Sequence, residues 1–221
     1  MPPRSYGQYC GVVTALELVG ERWALLIVRD LLVGPRRYTD LKRGLPRIPT
    51  NILSTRLKEL QAAGVIHRVP LAHGLVYELT EFGRGLEEVV LALGRWGFRA
   101  MGEPGPADIV TPDSLTIALR TAFRADAAAG LPPTAYEAHI GDVVLTLEVG
   151  DGTLSVTPGP RAGADLTFAV GPGIRSVLSG ELSPARALEQ GVVRVLDGDP
   201  ALLDRFAATF HLAPEPAPRA A

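Results

Sequence analysis

The sequence predicts an α+β chain built from two dissimilar halves, and three observations carry that reading. In roughly the first hundred positions apolar residues recur mainly at helical spacing, with one pair of β-favouring runs. Beyond about position 130 they alternate with polar residues between Gly-Asp and Asp-Gly turns, the pattern of strands with one buried face. Charge divides in the same region. The net charge of −2 conceals 14 Lys+Arg against 10 Asp+Glu in residues 1–103, and 8 against 14 in residues 104–221. At 221 residues the chain has the length of one large domain or two small ones.

Tyr9–Val19 places Val12, Val13, Leu16 and Val19 at helical spacing, and Gly20 is a natural stop. Glu21–Leu32 reads as a second helix, apolar on most sides and therefore central to a core, ended by Gly34-Pro35. Thr39 is the expected cap of a short helix running to about Gly44. Leu45-Pro46-Arg47-Ile48-Pro49 then makes a tight connector, because proline cannot continue a helix. A longer helix over about Thr50–Ala63 closes at Gly64. Val65–Val69 and Leu75–Leu79 flank Pro70–Gly74 as a hairpin. Thr80 opens a helix that carries Phe82, Leu86, Val89, Val90, Leu93 and Trp96 on one continuous apolar stripe.

A stretch rich in proline and glycine follows, so the domain expectation is 1–102, a linker at 103–110, a second domain at 111–213 and a frayed tail at 214–221. In the second domain Thr111-Pro112 caps a helix ending near Gly130. Strands are expected where Val143, Leu145, Leu147 and Val149 alternate with polar residues, again at Leu154 and Val156, and again from Ala164 to Val170. They imply an antiparallel sheet. Helices over Ile174–Leu178 and Ser183–Gln190, a strand at Val192–Leu196 and a helix from Asp199-Pro200 to about Phe210 complete an α+β domain with its sheet covered by helices.

The helix Thr50–Ala63 carries the most function-bearing pattern. Leu53, Leu57 and Leu60 fall on one face. Asn51, the only asparagine in the chain, falls opposite with Ser54, Thr55 and Lys58, and Thr50 lies at the helix start. Two readings of that face are open: an ordinary solvated surface, or one that reads base edges in a DNA major groove, where asparagine pairs bidentately with adenine. The neighbours favour the second. Between Arg29 and Arg68 the count is 9 basic to 3 acidic residues. Arg36 and Arg37 precede the short helix, Lys42, Arg43 and Arg47 surround the turn, and Arg68 and His73 belong to the hairpin. These are candidate phosphate contacts around a helix-turn-helix with a following wing.

Taken together, Cys10, Leu18-Val-Gly-Glu-Arg-Trp23-Ala-Leu-Leu-Ile27, Leu32-Val-Gly-Pro-Arg-Arg37-Tyr-Thr-Asp-Leu41, Ile48-Pro-Thr-Asn-Ile-Leu-Ser-Thr-Arg-Leu57-Lys-Glu-Leu60, Gly64-Val-Ile and Tyr77-Glu-Leu-Thr80-Glu-Phe-Gly83 resemble the HxlR-type winged helix-turn-helix regulators of bacteria. The resemblance implies a homodimer joined through its outer helices, here with Leu86, Val89, Val90, Leu93 and Trp96, on a roughly palindromic double-stranded DNA operator. It also makes Cys10 a candidate redox or electrophile sensor, with burial as a small apolar side chain the alternative.

In the second half Gly180-Glu-Leu-Ser-Pro-Ala-Arg-Ala-Leu-Glu-Gln-Gly191-Val-Val-Arg-Val-Leu-Asp-Gly198-Asp-Pro-Ala-Leu-Leu-Asp-Arg-Phe206 resembles the end of sterol carrier protein type-2-like domains. That resemblance implies a cavity for a lipid or other hydrophobic effector. Leu145, Leu147, Leu166, Phe168, Ile174, Leu178, Phe206 and Phe210 are candidate lining residues, with a solid core as the alternative.

Several classes are not expected. The longest apolar run, Trp23–Val28, is far short of the roughly 20 residues of a membrane span, and the N-terminus lacks the apolar core of a secretory signal. A cytoplasmic protein without a membrane partner is the expectation. One cysteine leaves no internal disulfide and no multi-cysteine zinc site. No G-x-S-x-G, P-loop, H-E-x-x-H or G-x-G-x-x-G pattern occurs, and His139 and His211 stand alone in their segments. No enzyme, cofactor or metal site is therefore expected. The best reading is a regulator controlled by a hydrophobic small molecule. The alternative is a redox-sensing repressor acting through Cys10, with a purely structural second domain.

Overall fold

Helix α1 (Gly11–Val19) starts at Cys10 as its N-cap. Helix α2 (Ala24–Val33) is the central helix of its unit, burying Ala24, Ile27, Val28 and Leu31. It begins three residues later than the apolar run suggests, because Trp23 adopts the left-handed region at φ 80° and Glu21–Trp23 forms a turn. These are elements of a computed structural model that describes residues 5–71, 74–105, 107–171 and 174–212. His73 and the expected tail 214–221 lie outside the described residues.

Helix α3 (Tyr38–Gly44) has Arg37 at its N-cap, so Thr39 lies inside the helix and does not cap it. The cap comes from Asp40, whose Oδ2 accepts the Arg37 backbone N–H at 3.0 Å. Helix α4 (Thr50–Ala62) buries Leu53, Leu57 and Leu60 on one side, as the 3.6-residue period requires. The hairpin follows as β1 (Ile66–Leu71) and β2 (Gly74–Leu79), antiparallel with Ile66 opposite Leu79.

The single helix expected from Thr80 onward is two. Thr80 Oγ1 accepts the Gly83 N–H at 3.0 Å and caps α5 (Glu81–Arg84), and α6 (Glu87–Phe98) then starts afresh. The reason is steric. The Gly83 backbone lies so close to β1 that an added Cβ would sit 2.0 Å from the Val65 carbonyl oxygen. Seated there, α5 ends at Gly85, its C-cap, and α6 begins at Glu87.

Compactness divides the chain into Met1–Val90 and Leu91–Ala221, inside α6, whereas the proline-rich stretch 103–110 was expected to hold the boundary. The last turns of α6 belong to the second unit. Phe98 joins that unit's buried core, and a Cβ at Gly94 would touch the Thr121 hydroxyl at 3.0 Å. Arg175 holds the segment after the helix by donating to the Met101 carbonyl at 2.8 Å.

The second unit opens with α7 (Pro112–Ala122), capped by Thr111, and α8 (Ala125–Ala128). The strands are β3 (Thr134–Ile140), β4 (Val143–Gly150), β5 (Thr153–Pro158) and β6 (Leu166–Val170). Helices α9 (Arg175–Leu178) and α10 (Pro184–Glu189), strand β7 (Val193–Gly198) and helix α11 (Leu202–Thr209) complete it. Strand order is β5-β4-β3-β6-β7. The sheet is mixed, contrary to the antiparallel expectation. β3 pairs β6 in parallel, with Tyr136 beside Leu166, because the β3-β4-β5 meander lies on one side of β3 and the chain must cross back to add β6 on the other.

Helices cover one face only. Tyr136, Leu147, Leu166 and Phe168 on the strands are buried in one core with Leu119 on α7, Ala187 on α10 and Phe206 on α11. On the opposite face, cross-strand register aligns Thr157, Thr146, Glu137, Thr167 and Asp197 in a polar row from edge to edge. The middle of that row is also buried at Thr146 and Glu137, where Thr146 donates to the Gly159 carbonyl and Glu137 accepts the Arg161 N–H.

Candidate nucleic-acid interface

The first unit places the expected reading residues together. Thr50, Asn51, Thr55 and Lys58 are exposed and Ser54 is half-buried, all on the side of α4 away from Leu53, Leu57 and Leu60. Two of their hydroxyls donate within the helix. Thr55 Oγ1 donates to the Asn51 carbonyl at 2.9 Å and Ser54 Oγ to the Thr50 carbonyl at 3.0 Å. Each can still accept from a partner outside the helix. Asn51 and Lys58 are exposed on the same face of α4.

The turn before α4 is held by the burial of Leu41, Leu45 and Ile48 and by Lys42, whose Nζ donates to the Pro46 carbonyl at 2.8 Å. Lys42 was an expected phosphate ligand, and its ammonium is instead directed into the turn. Arg37, Arg43 and Arg47 are exposed around it, Arg43 lying 3.7 Å from Asp40.

The wing is anchored by Tyr77, a residue of the family motif to which spacing assigns no role. Tyr77 on β2 exchanges two backbone hydrogen bonds with Arg36, at 3.0 and 2.8 Å, so the segment before α3 is bridged to the hairpin at one residue. Across the hairpin Arg68 faces Tyr77, with its guanidinium 5.5 Å from the ring centroid. Arg36 and Arg68 thereby flank Tyr77 on its two sides. Nothing in their spacing signals this, because register alone pairs positions 36, 68 and 77.

Exposed apolar side chains mark two helices. On α1 these are Val12 and Leu16, with Tyr9 just before the helix; on α6 they are Val89, Leu93 and Trp96. Leu86 is half-buried. Val90, expected in the same stripe, is buried within the chain, since it lies about 100° round the helix from Val89.

Cys10 is exposed and free. Backbone N–H groups of Val13 and Val12 at the start of α1 lower its thiol pKa below the ordinary value, the effect expected at a helix N-terminus. Burial as a small apolar residue is thus overturned. Alkylation of the unfolded-state thiol and of the native thiol should differ: the native rate is expected to reach half-maximum at a lower pH, measured with iodoacetamide.

In the second unit all eight candidate pocket residues are buried, and they separate into two groups. Phe168, Ile174 and Phe206 line an apolar cavity of about 10 Å³, together with Val170, Val177, Pro184, Val193 and Leu203. Leu145, Leu147, Leu166, Leu178 and Phe210 do not border it and are packed core. That volume holds about one water-sized sphere. On the polar face Glu137 accepts from the Arg161 backbone N–H at 2.7 Å and lies 2.7 Å from His139 Nε2. The His139 contact first, then the Arg161 N–H, hold its carboxyl below the usual range. Among the described residues no group of three or more metal-ligating side chains occurs, and no helix is long and apolar enough to cross a membrane.

A central helix, a short helix, a tight turn, an exposed polar helix and a two-stranded wing define the winged helix-turn-helix class. The HxlR-like helix-turn-helix family matches residues 18–104, and the chain belongs to that family. Over 91 residues it is 36% identical to the HTH-type transcriptional regulator YdeP of Bacillus subtilis (strain 168), covering 40% of this chain and 71% of YdeP. It is 33% identical over 113 residues to YkvN of the same organism, covering 48% of this chain and 96% of YkvN. Among solved structures, that of the HTH-type transcriptional regulator ytcD is 37% identical and covers 40% of this chain and 93% of its own, with a TM-score of 0.38.

Proposed function

We propose that this chain is a DNA-binding transcription regulator that reads a roughly palindromic operator as a homodimer. The observation that carries the reading is the solvent face of α4. Asn51, Thr55 and Lys58 are exposed together, with cations at the turn and on the wing, where phosphates flank a helix lying in the major groove. The apolar stripes on α1 and α6 are the faces through which two copies meet.

Selection of bound duplexes from a random-sequence pool with the full-length protein tests this. Recovery of a site with two related half-sites is the expected result; recovery of no preferred sequence at moderate salt would sink it. On the selected site Arg37→Ala is expected to weaken every DNA sequence similarly and to flatten the slope of log K against log salt by about one unit. A sequence-dependent loss would instead make Arg37 a reading residue.

The finer proposal is that a hydrophobic small molecule in the second unit controls operator affinity. Its support is the resemblance of Gly180–Phe206 to sterol carrier protein type-2-like domains and the all-apolar lining of the cavity beneath α9 and α11. At about 10 Å³ the cavity must open to admit a lipid, so binding has to shift a population toward a wider state. A thermal-shift series with fatty acids, sterols and aromatic compounds, followed by operator titration, distinguishes the outcomes. A compound that raises the melting temperature and leaves operator affinity unchanged refutes the coupling.

A second reading has its own observation, the exposed Cys10 thiol with its lowered pKa. In it the chain is a repressor that responds to oxidants or electrophiles through an intersubunit disulfide, a mixed disulfide or an adduct, and the second unit is structural. Cys10→Ser should then abolish the change in operator affinity caused by diamide or a quinone. An unchanged response in that variant removes Cys10 from the mechanism.

A further inference from the structure

The first turn of α4 has no side-chain cap of its own, because Pro49 occupies the N-cap position. It is tethered from another element. The Tyr38 hydroxyl, on the first residue of α3, donates to the Thr50 carbonyl at 3.0 Å and lies 3.3 Å from Ser54 Oγ. Ser54 Oγ donates to the same carbonyl at 3.0 Å. Three oxygens from two helices therefore meet at the carbonyl of the residue immediately before Asn51.

From this we infer that Tyr38 is a positioning residue for DNA reading: its hydroxyl fixes the rotation of the first turn of α4, and with it the direction in which Asn51 presents its amide. The inference rests on the proposal that α4 is the reading helix. A bidentate amide–adenine pair discriminates only while both hydrogen bonds keep their geometry, so a small rotation at Thr50 costs specificity before it costs fold. The turn itself does not depend on Tyr38. Leu41, Leu45 and Ile48 are buried there, and Lys42 closes it onto Pro46. Removing the phenolic oxygen alone should accordingly leave the unit folded.

The test uses the full-length protein, a duplex selected from a random pool, and a panel of single-base variants of that duplex. Tyr38→Phe is expected to reduce the affinity ratio between selected and variant sites by about 2–10-fold, the factor equivalent to one neutral hydrogen bond. The salt slope should remain unchanged and the melting temperature should fall by less than about 5 °C. Ser54→Ala removes the other hydroxyl of the cluster, so the double variant should lose less discrimination than the product of the single losses.

A uniform loss on all sequences with a slope smaller by about one unit would make Tyr38 a phosphate contact and overturn the inference. So would unchanged discrimination, or fully multiplicative single effects. Asn51→Ala, measured on the same panel, separates this failure from failure of the underlying reading. If Asn51→Ala lowers discrimination and Tyr38→Phe does not, only the positioning role falls. If Asn51→Ala also leaves discrimination intact, α4 is not the reading helix and both fall.

Discussion

Replacing Phe206 with alanine is expected to destabilise the second unit by about 3–5 kcal/mol. Phe206 is 1% exposed and joins three other rings. It packs edge-on to Tyr136 and Phe168, with centroids 5.5 and 5.1 Å away, and stacks on Phe210 at 4.6 Å. These rings come from β3, β6 and the end of α11, so truncation removes contacts to both layers at once. Phe206 also lines the existing cavity with Phe168, and the space left by the ring would join it rather than be refilled. Energy lost scales with residual cavity volume, which places this site toward the upper part of the large-to-small range. A fall of about 10–20 °C in the melting transition of the second unit is the expected readout. A fall under about 5 °C would show that α11 collapses onto the sheet and that the ring packing contributes little.

Asn51→Ala should have the largest effect on recognition. If the exposed amide pairs with adenine, its loss lowers discrimination at that base pair by about 1–3 kcal/mol, roughly 5–150-fold in relative affinity. The salt slope should not change, because no phosphate contact is removed. Competition titrations with the selected duplex and its single-base variants measure this directly. Equal weakening on every duplex would assign Asn51 to the DNA backbone.

Much of the first unit was legible because its signals are local. The 3.6-residue period places Leu53, Leu57 and Leu60 inside and Asn51, Thr55 and Lys58 outside, and the structure follows that division. The hairpin lies within one or two residues of its expected bounds because turn-forming residues separate two β-favouring runs. The stripe from Phe82 to Trp96 misled for a physical reason: spacing is blind to how closely Gly83 must approach the Val65 carbonyl, and that approach divides the helix.

Strand β3 was missed altogether. Its inward residues include Ala138, and its outward ones are Ala135, Glu137 and His139, so Thr134–Ile140 lacks the β-branched alternation that marks β4. It is nevertheless the middle strand of the sheet, where neighbours on both sides supply what local propensity does not. The expected ligand-lining residues fared in a related way. Alternation put the four strand residues Leu145, Leu147, Leu166 and Phe168 on the inner face, but which inward residues border a void depends on how α9, α10 and α11 lie on the sheet.

By itself the sequence determined the two-part character of the chain, the polar face of α4, the cationic surroundings of its turn and the covered face of the sheet. Each follows from local periodicity or composition, which act along the chain. Only the tertiary structure decided that Tyr38 grips Thr50, that Arg36 and Arg68 flank Tyr77, that Lys42 closes a turn and that Cys10 is exposed. Those outcomes depend on hydrogen bonds, ring contacts and burial between positions far apart in the chain. Packing brings such positions together, and no spacing rule reports them.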